Sequence, residues 1–236
     1  MKTAHGHSPA EIKQRLKNRH TGSHLKDVVY GAIDGTVTTF AIIAGVEGAG
    51  LSTGVILALG AANIVADGFS MAAGNYAGTR AELEDRRRTI EVERMHLRDH
   101  RDGELAELRQ ILKLRGFEGD LLEKATRAIS KDETRWIDLM LVDEYGLART
   151  VPNPHKAALS TFFAFLVAGS VPLIPFVIGA AHAFQISMIA TGGTFFVIGA
   201  AKSRWSLAPW WRSGLETLLT GAVAAAIAYL VASLFR

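Results

Sequence analysis

The chain has 236 residues, of which 49% are hydrophobic, and its length allows one or two domains. Its formal net charge is +3, and the basic excess lies in an N-terminal stretch and one short loop. That distribution is typical of topology determinants in membrane proteins, so it does not indicate a nucleic-acid partner. Because the chain has no cysteine, disulfides and thiolate metal sites are excluded.

Charged residues are concentrated in the middle of the chain. Residues 80–150 carry 15 Arg and Lys and 17 Asp and Glu, which is 32 of the chain's 49 charged side chains. This pattern predicts an all-α membrane protein with a soluble helical module inserted between two groups of spans. We predict an N-terminal amphipathic segment (1–27), two spans (28–79), a cytosolic module (80–155) and three further spans (156–236).

The N-terminal segment lacks the apolar core of a cleavable signal peptide, so we expect the first span to act as an uncleaved signal. Ser8 is a suitable helix cap, and Pro9 fits the first turn. A short amphipathic helix is therefore predicted over about residues 8–20.

Five segments approach the length of roughly 20 residues that a bilayer requires. With a cytosolic N-terminus, the module and the loop from Lys202 to Arg212 also fall in the cytosol, whereas the connections without Lys or Arg fall outside, as the positive-inside rule demands. The predicted spans are about 28–47, 53–77, 157–180, 184–202 and 213–235.

Prolines and short connections shape the third and fourth spans. Pro172 and Pro175 are expected to bend the third span, and its neighbours then have to satisfy the carbonyls that this frees. Residues 180–183 are too few and too apolar to form anything but a turn.

The module is predicted to consist of helices. No Pro separates the second span from residues 80–100, so one helix is expected from about Ser52 to Arg98, ended by Asp102-Gly103. Three shorter helices follow: 104–115, closed by Gly116; about 118–129; and one opened by a capping-box spacing of Ser130 and Glu133 and closed by Gly146.

Two aspartates, Asp34 and Asp67, lie inside predicted spans. A carboxylate at bilayer depth costs several kcal/mol, so it normally lines a polar pathway or pairs with another group. Each lies on a stripe of small and polar residues at helical spacing. The stripes are Gly31, Asp34 and Thr38 in the first span, and Gly60, Asn63, Asp67, Met71, Gly74 and Gly78 in the second.

Facing stripes of this kind would form a narrow acidic route for a cation. Asn63 adds a carbonyl oxygen and Met71 a soft sulfur, and such mixed ligands suit iron(II) or manganese better than magnesium. The alternative is that these polar groups only hold helices together by hydrogen bonds.

The module contains a second group of candidate metal ligands. Glu93 and His96 share a helix face with His100, and Glu104 and Glu107 lie three apart on the next helix. Glu144 lies beside Met140 on an apolar stripe, where an acid needs a partner. A transition metal would provide one, although most Glu residues of so charged a segment are expected to be solvated or paired with arginine.

The chain resembles the vacuolar iron transporter family, in particular its bacterial members. The resemblance runs from about residue 25 to the C-terminus and preserves order and spacing. Its matching stretches are Asp27-Val-Val-Tyr-Gly-Ala-Ile-Asp-Gly, Ala66-Asp-Gly-Phe-Ser-Met-Ala-Ala-Gly-Asn-Tyr and Asp143-Glu-Tyr-Gly-Leu.

The resemblance implies a homodimer of five-span protomers that exchanges cytosolic iron(II), and often manganese, for protons. It implies no prosthetic group: Fe²⁺, with Mn²⁺ or Zn²⁺ as alternatives, is cargo and module ligand. The implied setting is a bacterial inner membrane. The residues that match family ligands are Asp34 and Met71 in the spans, and Glu93, Glu104, Glu107, Met140 and Glu144 in the module.

Two positions depart from the plant members of that family. His96 replaces a module glutamate, a change of ligand that iron tolerates. Asn63 replaces a second-span glutamate that binds the moving ion, while Asp67 keeps a carboxylate about 6 Å further along the same face. We expect this change to affect ion selectivity and proton coupling but not the transport function itself.

Two other functions are compatible with parts of the pattern. Glu93-Arg-Met-His96 is a Glu-x-x-His element of the kind found in di-iron oxidases, but those sites need two such elements and this chain has one. A metal-sensing protein anchored by its spans is the other alternative, and it leaves the two intramembrane aspartates without a role.

Overall fold

The computed structural model describes residues 7–17 and 24–234, and this part of the chain contains helices and no strands. Two short 3₁₀ turns, Val171–Leu173 and Ser203–Trp205, supplement the α-helices. The α-helices are α1 (Pro9–Lys17), α2 (Leu25–Gly48), α3 (Thr53–Asp99), α4 (Arg101–Leu114), α5 (Gly119–Ile129), α6 (Glu133–Asp143), α7 (Pro154–Ser170), α8 (Ile174–Val177), α9 (Ala183–Lys202) and α10 (Trp210–Ser233).

The chain divides into two compact units. The membrane unit consists of Ser23–Gly78 and Asn153–Arg236, and the charged unit of Thr79–Pro152 together with Met1–Gly22, each so far as it is described. The long helix α3 contributes its first half to the membrane unit and its second half to the charged unit.

The prediction of an all-α protein with five spans is confirmed for the described residues. Five helices are long and apolar enough to cross a membrane, which makes this a multi-pass membrane protein. Residue 235, in the predicted fifth span, lies outside the described residues. The observed segments are Leu25–Gly48, Thr53–Asp99, Pro154–Val177, Ala183–Trp205 and Trp210–Val231.

Small residues let α2 and α7 pack closely along their length. A Cβ atom on Gly31 would overlap the Thr161 carbonyl oxygen, and one on Gly35 would lie 2.6 Å from the carbonyl oxygen of Phe165. Such close backbone approach is how helices associate in lipid, where no hydrophobic force drives them together. Because both contacts advance in the same direction, α2 and α7 are parallel.

The remaining spans alternate in direction around this pair. Asn75 of α3 donates to Thr161 near the start of α7, whereas Gly60, earlier in α3, contacts Leu173 beyond the end of α7. The two helices are therefore antiparallel where they pack. Ser187 near the start of α9 contacts the end of the third span, and Gly199 near its end contacts Ser213 of α10. One end of the membrane unit therefore carries the basic residues Lys26, Lys156, Lys202, Arg204 and Arg212.

The prolines interrupt the third span as predicted. The 3₁₀ turn Val171–Leu173 separates α7 from α8, because proline lacks the N–H of a regular helix. The buried hydroxyl of Ser187 donates a 2.7 Å hydrogen bond to the Pro172 carbonyl, so a neighbouring helix supplies the expected partner. The predicted turn follows, with Gly179 and His182 in left-handed conformations.

The N-terminal helix is confirmed over the described residues. Ser8 and Glu11 form a reciprocal capping box at the start of α1: the Ser8 backbone N–H donates to the Glu11 carboxylate at 3.0 Å, and the Glu11 N–H donates to the Ser8 hydroxyl at 3.4 Å. Predicted helical residues 18–20 lie outside the described part of the chain.

Two local predictions in the charged unit are wrong. The long helix ends at Asp99, and Asp102-Gly103 lies in the first turn of α4, because the chain breaks at His100 instead. The cap of α6 is Asp132, whose carboxylate accepts from the Arg135 N–H at 3.2 Å, and not Ser130. A carboxylate two residues closer to the helix takes over the capping role.

The charged unit has its own apolar core. Apolar side chains of α4 and α6 pack against one another and against Leu97 near the end of α3. The fully buried members are the largest contributors to the hydrophobic stabilisation of this unit. They include Leu108, Trp136, Met140 and Leu141.

Replacing Gly31 with alanine tests the close packing of α2 against α7. The added methyl group has to displace backbone, so we expect G31A to lower the free energy of unfolding by about 1–3 kcal/mol. Thermal unfolding in detergent measures the change. The matched control is G193A on α9, where a Cβ meets no atom within 4 Å, and an equal loss in both variants would contradict the packing argument.

Candidate metal centre

Three metal-ligand side chains meet in the charged unit. Glu93, His96 and Glu104 each offer one ligand atom, and these atoms lie within 4.8 Å of one another. His96 Nδ1 lies 3.4 Å from a Glu104 oxygen and 3.7 Å from a Glu93 oxygen. These separations suit three ligands around one ion.

The break between α3 and α4 brings these side chains together. Glu93 and His96 are one helical turn apart on α3, so they project from one face. His100 leaves helical geometry, and α4 begins at Arg101, which returns Glu104 to that face. The sequence prediction that Glu93, His96 and Glu104 form one cluster thus agrees with their observed placement.

Two carboxylate oxygens in the cluster have no hydrogen-bond partner among the described residues. Glu93 and Glu104 are 1% and 5% exposed, and in each the Oε2 atom is buried without a donor. A buried carboxylate oxygen without a partner costs several kcal/mol, and a cation removes this cost. Two carboxylates and one imidazole form a donor set that fits Fe²⁺ or Mn²⁺.

Burial raises the pKa values of two acids in and beside this cluster. Desolvation, and then the neighbouring carboxylates of Glu93 and Glu107, raise the pKa of Glu104 to about 7. Desolvation and the same two carboxylates also raise the pKa of Glu144. His96 opposes both shifts. The carboxylates lie close enough to repel one another, which is the electrostatic condition for attracting a cation.

Tyr145 contacts the cluster in a way that was not predicted from the sequence. Its hydroxyl donates a 2.7 Å hydrogen bond to Glu93 Oε1. That bond and burial raise the pKa of Tyr145 above its ordinary value, so the phenol stays a donor. A partner of this kind orients a metal ligand. The signal was present, because Tyr145 lies in the stretch Asp143-Glu-Tyr-Gly-Leu that carries the family resemblance.

Two other predicted ligands of the charged unit differ in their exposure to solvent. Glu107 is exposed and acts on Glu104 through its charge. Met140 is fully buried among the apolar side chains of the core. Their roles as ligands stay predictions.

The expected burial of Glu144 in the apolar stripe of α6 is wrong. Residue 144 is the cap that follows the last helical residue, Asp143, and it is exposed. The helix ends before this position, so Glu144 leaves the stripe, yet it interacts with Tyr145 and with the cluster acids.

The two predicted stripes of the membrane unit approach each other. Asn63 of α3 donates to the Thr38 hydroxyl of α2 at 3.4 Å, and Thr38 donates to the Asp34 carbonyl at 2.9 Å. Asp34 and Asp67 lie near enough for their charges to interact. Within the described part of the chain, neither carboxylate has a hydrogen bond or ion pair that would make it a structural link.

Two glycines of these stripes serve packing instead of a pathway. Gly31 contacts the α7 backbone, and a Cβ on Gly60 would lie 2.7 Å from the Leu173 side chain. Including them in a polar route was therefore wrong, because helical spacing does not show which neighbour a small residue faces. Met71 is half-buried in α3, one turn from Asp67.

Comparison with known proteins places this arrangement in a family. Residues 25–233 match the VIT family. Vacuolar iron transporter 1 of Eucalyptus grandis is 32% identical over 235 residues, covering 95% of this chain and 94% of the relative. The Arabidopsis thaliana protein of the same name is 30% identical, with 95% and 93% covered. The vacuolar iron transporter of Centaurea cyanus is 32% identical, with 93% of both covered. The family resemblance of the sequence is confirmed, and the chain belongs to the VIT family.

Proposed function

We propose that this protein transports divalent iron across a membrane, with manganese as a second substrate. The observation that carries the proposal is the pair Asp34 and Asp67, two interacting carboxylates in apolar helices that have no hydrogen-bond or ion-pair partner among the described residues. Relatives named vacuolar iron transporters support the choice of metal.

Charge balance favours a divalent cation at the membrane site. Two carboxylates in a medium of low polarity repel each other, and one ion of charge +2 neutralises both. Asn63 and Met71 lie on the same helix as Asp67, at one turn on either side, and would add an oxygen and a sulfur. A thioether favours iron(II) over magnesium or calcium.

The charged unit collects the metal before transport. Glu93, His96 and Glu104 form the central ligands, and Glu107, Met140 and Glu144 complete the predicted set. A negative cluster raises the local concentration of cations, which increases the rate of capture. Metal bound there is then passed to the membrane site.

Protons serve as the counter-ion in this proposal. A proton and a metal ion compete for the same carboxylate oxygens, so protonation of Asp34 and Asp67 from the far side lowers metal affinity and releases the ion. Alternating access around a central site is the usual physical scheme for such exchange. The direction is export from the cytosol.

The proposal also includes an orientation, which the charge distribution supports, and an assembly. The membrane-unit end that bears Lys26, Lys202 and Arg212 faces the cytosol, as positive residues generally do. The charged unit is cytosolic in this orientation. The protein functions as a homodimer in a bacterial inner membrane, without a prosthetic group.

An oxidase is the alternative from another class. Its test is the absorbance of ferric iron after Fe²⁺ is mixed with the full chain in air. Rapid formation would favour a di-iron oxidase, although the described residues contain a single three-ligand group. A metal sensor is distinguished by the absence of metal flux in reconstituted vesicles.

Removing either central carboxylate should weaken metal binding to the charged unit. We expect E93Q and E104Q to lower Mn²⁺ or Fe²⁺ affinity by about tenfold or more, since even partners of metal ligands contribute about 10–100-fold. Anaerobic calorimetry measures the affinity. The control is E91Q, because Glu91 is an exposed residue of the same helix that pairs with Arg94. Equal binding by all three variants and the parent would contradict this site.

Metal affinity should depend on pH through Glu104. Below its pKa of about 7 this carboxyl keeps a proton that the metal has to displace, so apparent affinity falls by up to about tenfold per pH unit. The stability of the metal-free protein should change with pH in the opposite direction from the metal affinity, because the folded state binds the Glu104 proton more tightly than the unfolded state does. Its free energy of unfolding decreases as pH rises from the ordinary value of 4.5 towards 7.

Calorimetry and denaturant unfolding at a series of pH values test these two slopes. The E104Q variant serves as the control, since it cannot titrate at this position and should lose both contributions. A parent whose affinity and stability are flat below pH 7 would contradict the shifted pKa.

Removing the membrane carboxylates should stop transport without preventing metal capture. We expect D34A and D67A to reduce iron flux in proteoliposomes under a pH gradient to the rate of protein-free vesicles. Metal binding to the charged unit should remain as in the parent. The control is E216Q, which removes an exposed acid of α10 paired with Arg212. Parental flux in D34A and D67A would disprove the assignment of the membrane site.

A further inference from the structure

A groove of about 490 Å³ opens at the basic end of the membrane unit. It lies between the start of α2 and the end of α9, and its volume falls in the range of about 300–1,000 Å³ that is typical of ligand sites. Apolar side chains form most of its wall. The residues that matter here are Lys26, Val29, Tyr30, Ile33, Asp34 and Lys202.

The two lysines of this groove have no acidic partner in the described part of the chain. Lys26 is exposed and Lys202 half-buried, and neither ammonium lies within 4.0 Å of a carboxylate there, Asp34 included. Arg212, at the same end of the unit, pairs with Glu216 at 3.2 Å. With Asp34 also in its wall, the groove therefore carries two positive charges against one negative charge.

Polar and apolar residues are separated along the groove. Lys26 and Lys202 lie at helix ends, where the membrane surface is expected. Val29 and Ile33 follow on α2 up to about 10 Å further in, at 1.5 Å per residue. A positive rim above an apolar wall matches a molecule with an anionic head and a hydrocarbon chain.

We infer that this groove binds an anionic phospholipid. Its phosphate lies between the ammonium groups of Lys26 and Lys202, the Tyr30 hydroxyl donates to the headgroup, and an acyl chain extends along Val29 and Ile33. Basic pockets between spans on the cytosolic side are where such headgroups bind. A zwitterionic lipid carries no net negative charge to balance the excess positive charge of this groove.

The bound lipid also affects the membrane site, a consequence that rests on the proposed function. Asp34 lines the same groove, so positive charge on Lys26 and Lys202 raises the electrostatic cost of a cation beside it. A phosphate between the lysines offsets that charge. Anionic lipid is therefore expected to accelerate iron transport.

Native mass spectrometry of the delipidated full chain tests the binding site directly. Phosphatidylglycerol and phosphatidylcholine with identical acyl chains are the probes, and the parent should retain the former in preference. The double variant K26Q/K202Q should bind phosphatidylglycerol roughly 30-fold more weakly, about fivefold for each lysine, and lose the preference.

The control variant K156Q/R204Q removes two exposed charges from the same end of the unit but outside the groove. It should retain the preference for phosphatidylglycerol. Equal retention of both lipids by the parent would overturn the inference, and so would an equal loss of the preference in the control variant. A third contradicting result would be a change of oligomeric state in K26Q/K202Q without any change in lipid retention. The last result would identify the groove as a contact between copies of the chain.

Iron flux in vesicles with and without phosphatidylglycerol tests the consequence. The parent and K156Q/R204Q should be accelerated by the anionic lipid, and K26Q/K202Q should not respond. If the parent retains phosphatidylglycerol selectively but neither it nor the two variants transport iron, the transport function is rejected and the lipid site is retained. Iron flux with unselective lipid retention would reject the lipid site and leave transport.

Discussion

A carboxylate removed from water needs a proton or a positive charge close by, and this requirement connects the two parts of the protein. In the charged unit, Glu93 and Glu104 are buried with one oxygen each lacking a donor. In the membrane unit, Asp34 and Asp67 lie in apolar helices, near enough for their charges to interact. Since no described arginine or lysine pairs with these four acids, a mobile cation is the group that best satisfies them.

Close helix packing stabilises a small bundle that contains such unpaired carboxylates. Gly31 and Gly35 bring the backbones of α2 and α7 together, and Ser187 satisfies a carbonyl at the proline break of the third span. These contacts position α2 on one side, while its acidic residue Asp34 has no structural partner among the described residues. In lipid, where apolar surface gains nothing by association, small residues and hydrogen bonds are what stabilise this arrangement.

The candidate sites were predictable to different degrees. Glu93 and His96 could be paired from sequence because both lie on one helix, where spacing determines the face. Placing Glu104 beside them required the chain break at His100, whereas the sequence pattern predicts the break at Asp102-Gly103. Tyr145 was not predicted as a partner of Glu93, since its hydrogen bond spans 52 residues and depends on where α6 ends. The error in placing Glu144 has the same origin.

The sequence by itself determined the helical class, the five spans, the family and the identity of the acids, because hydropathy, charge asymmetry and short motifs are local properties of the chain. Only the tertiary structure decided which glycines pack against a neighbouring helix, which carboxylate oxygens lose their partners on burial, and that Lys26 and Lys202 share a groove. Those features depend on distances between segments far apart in sequence, and such distances are set by how the helices pack.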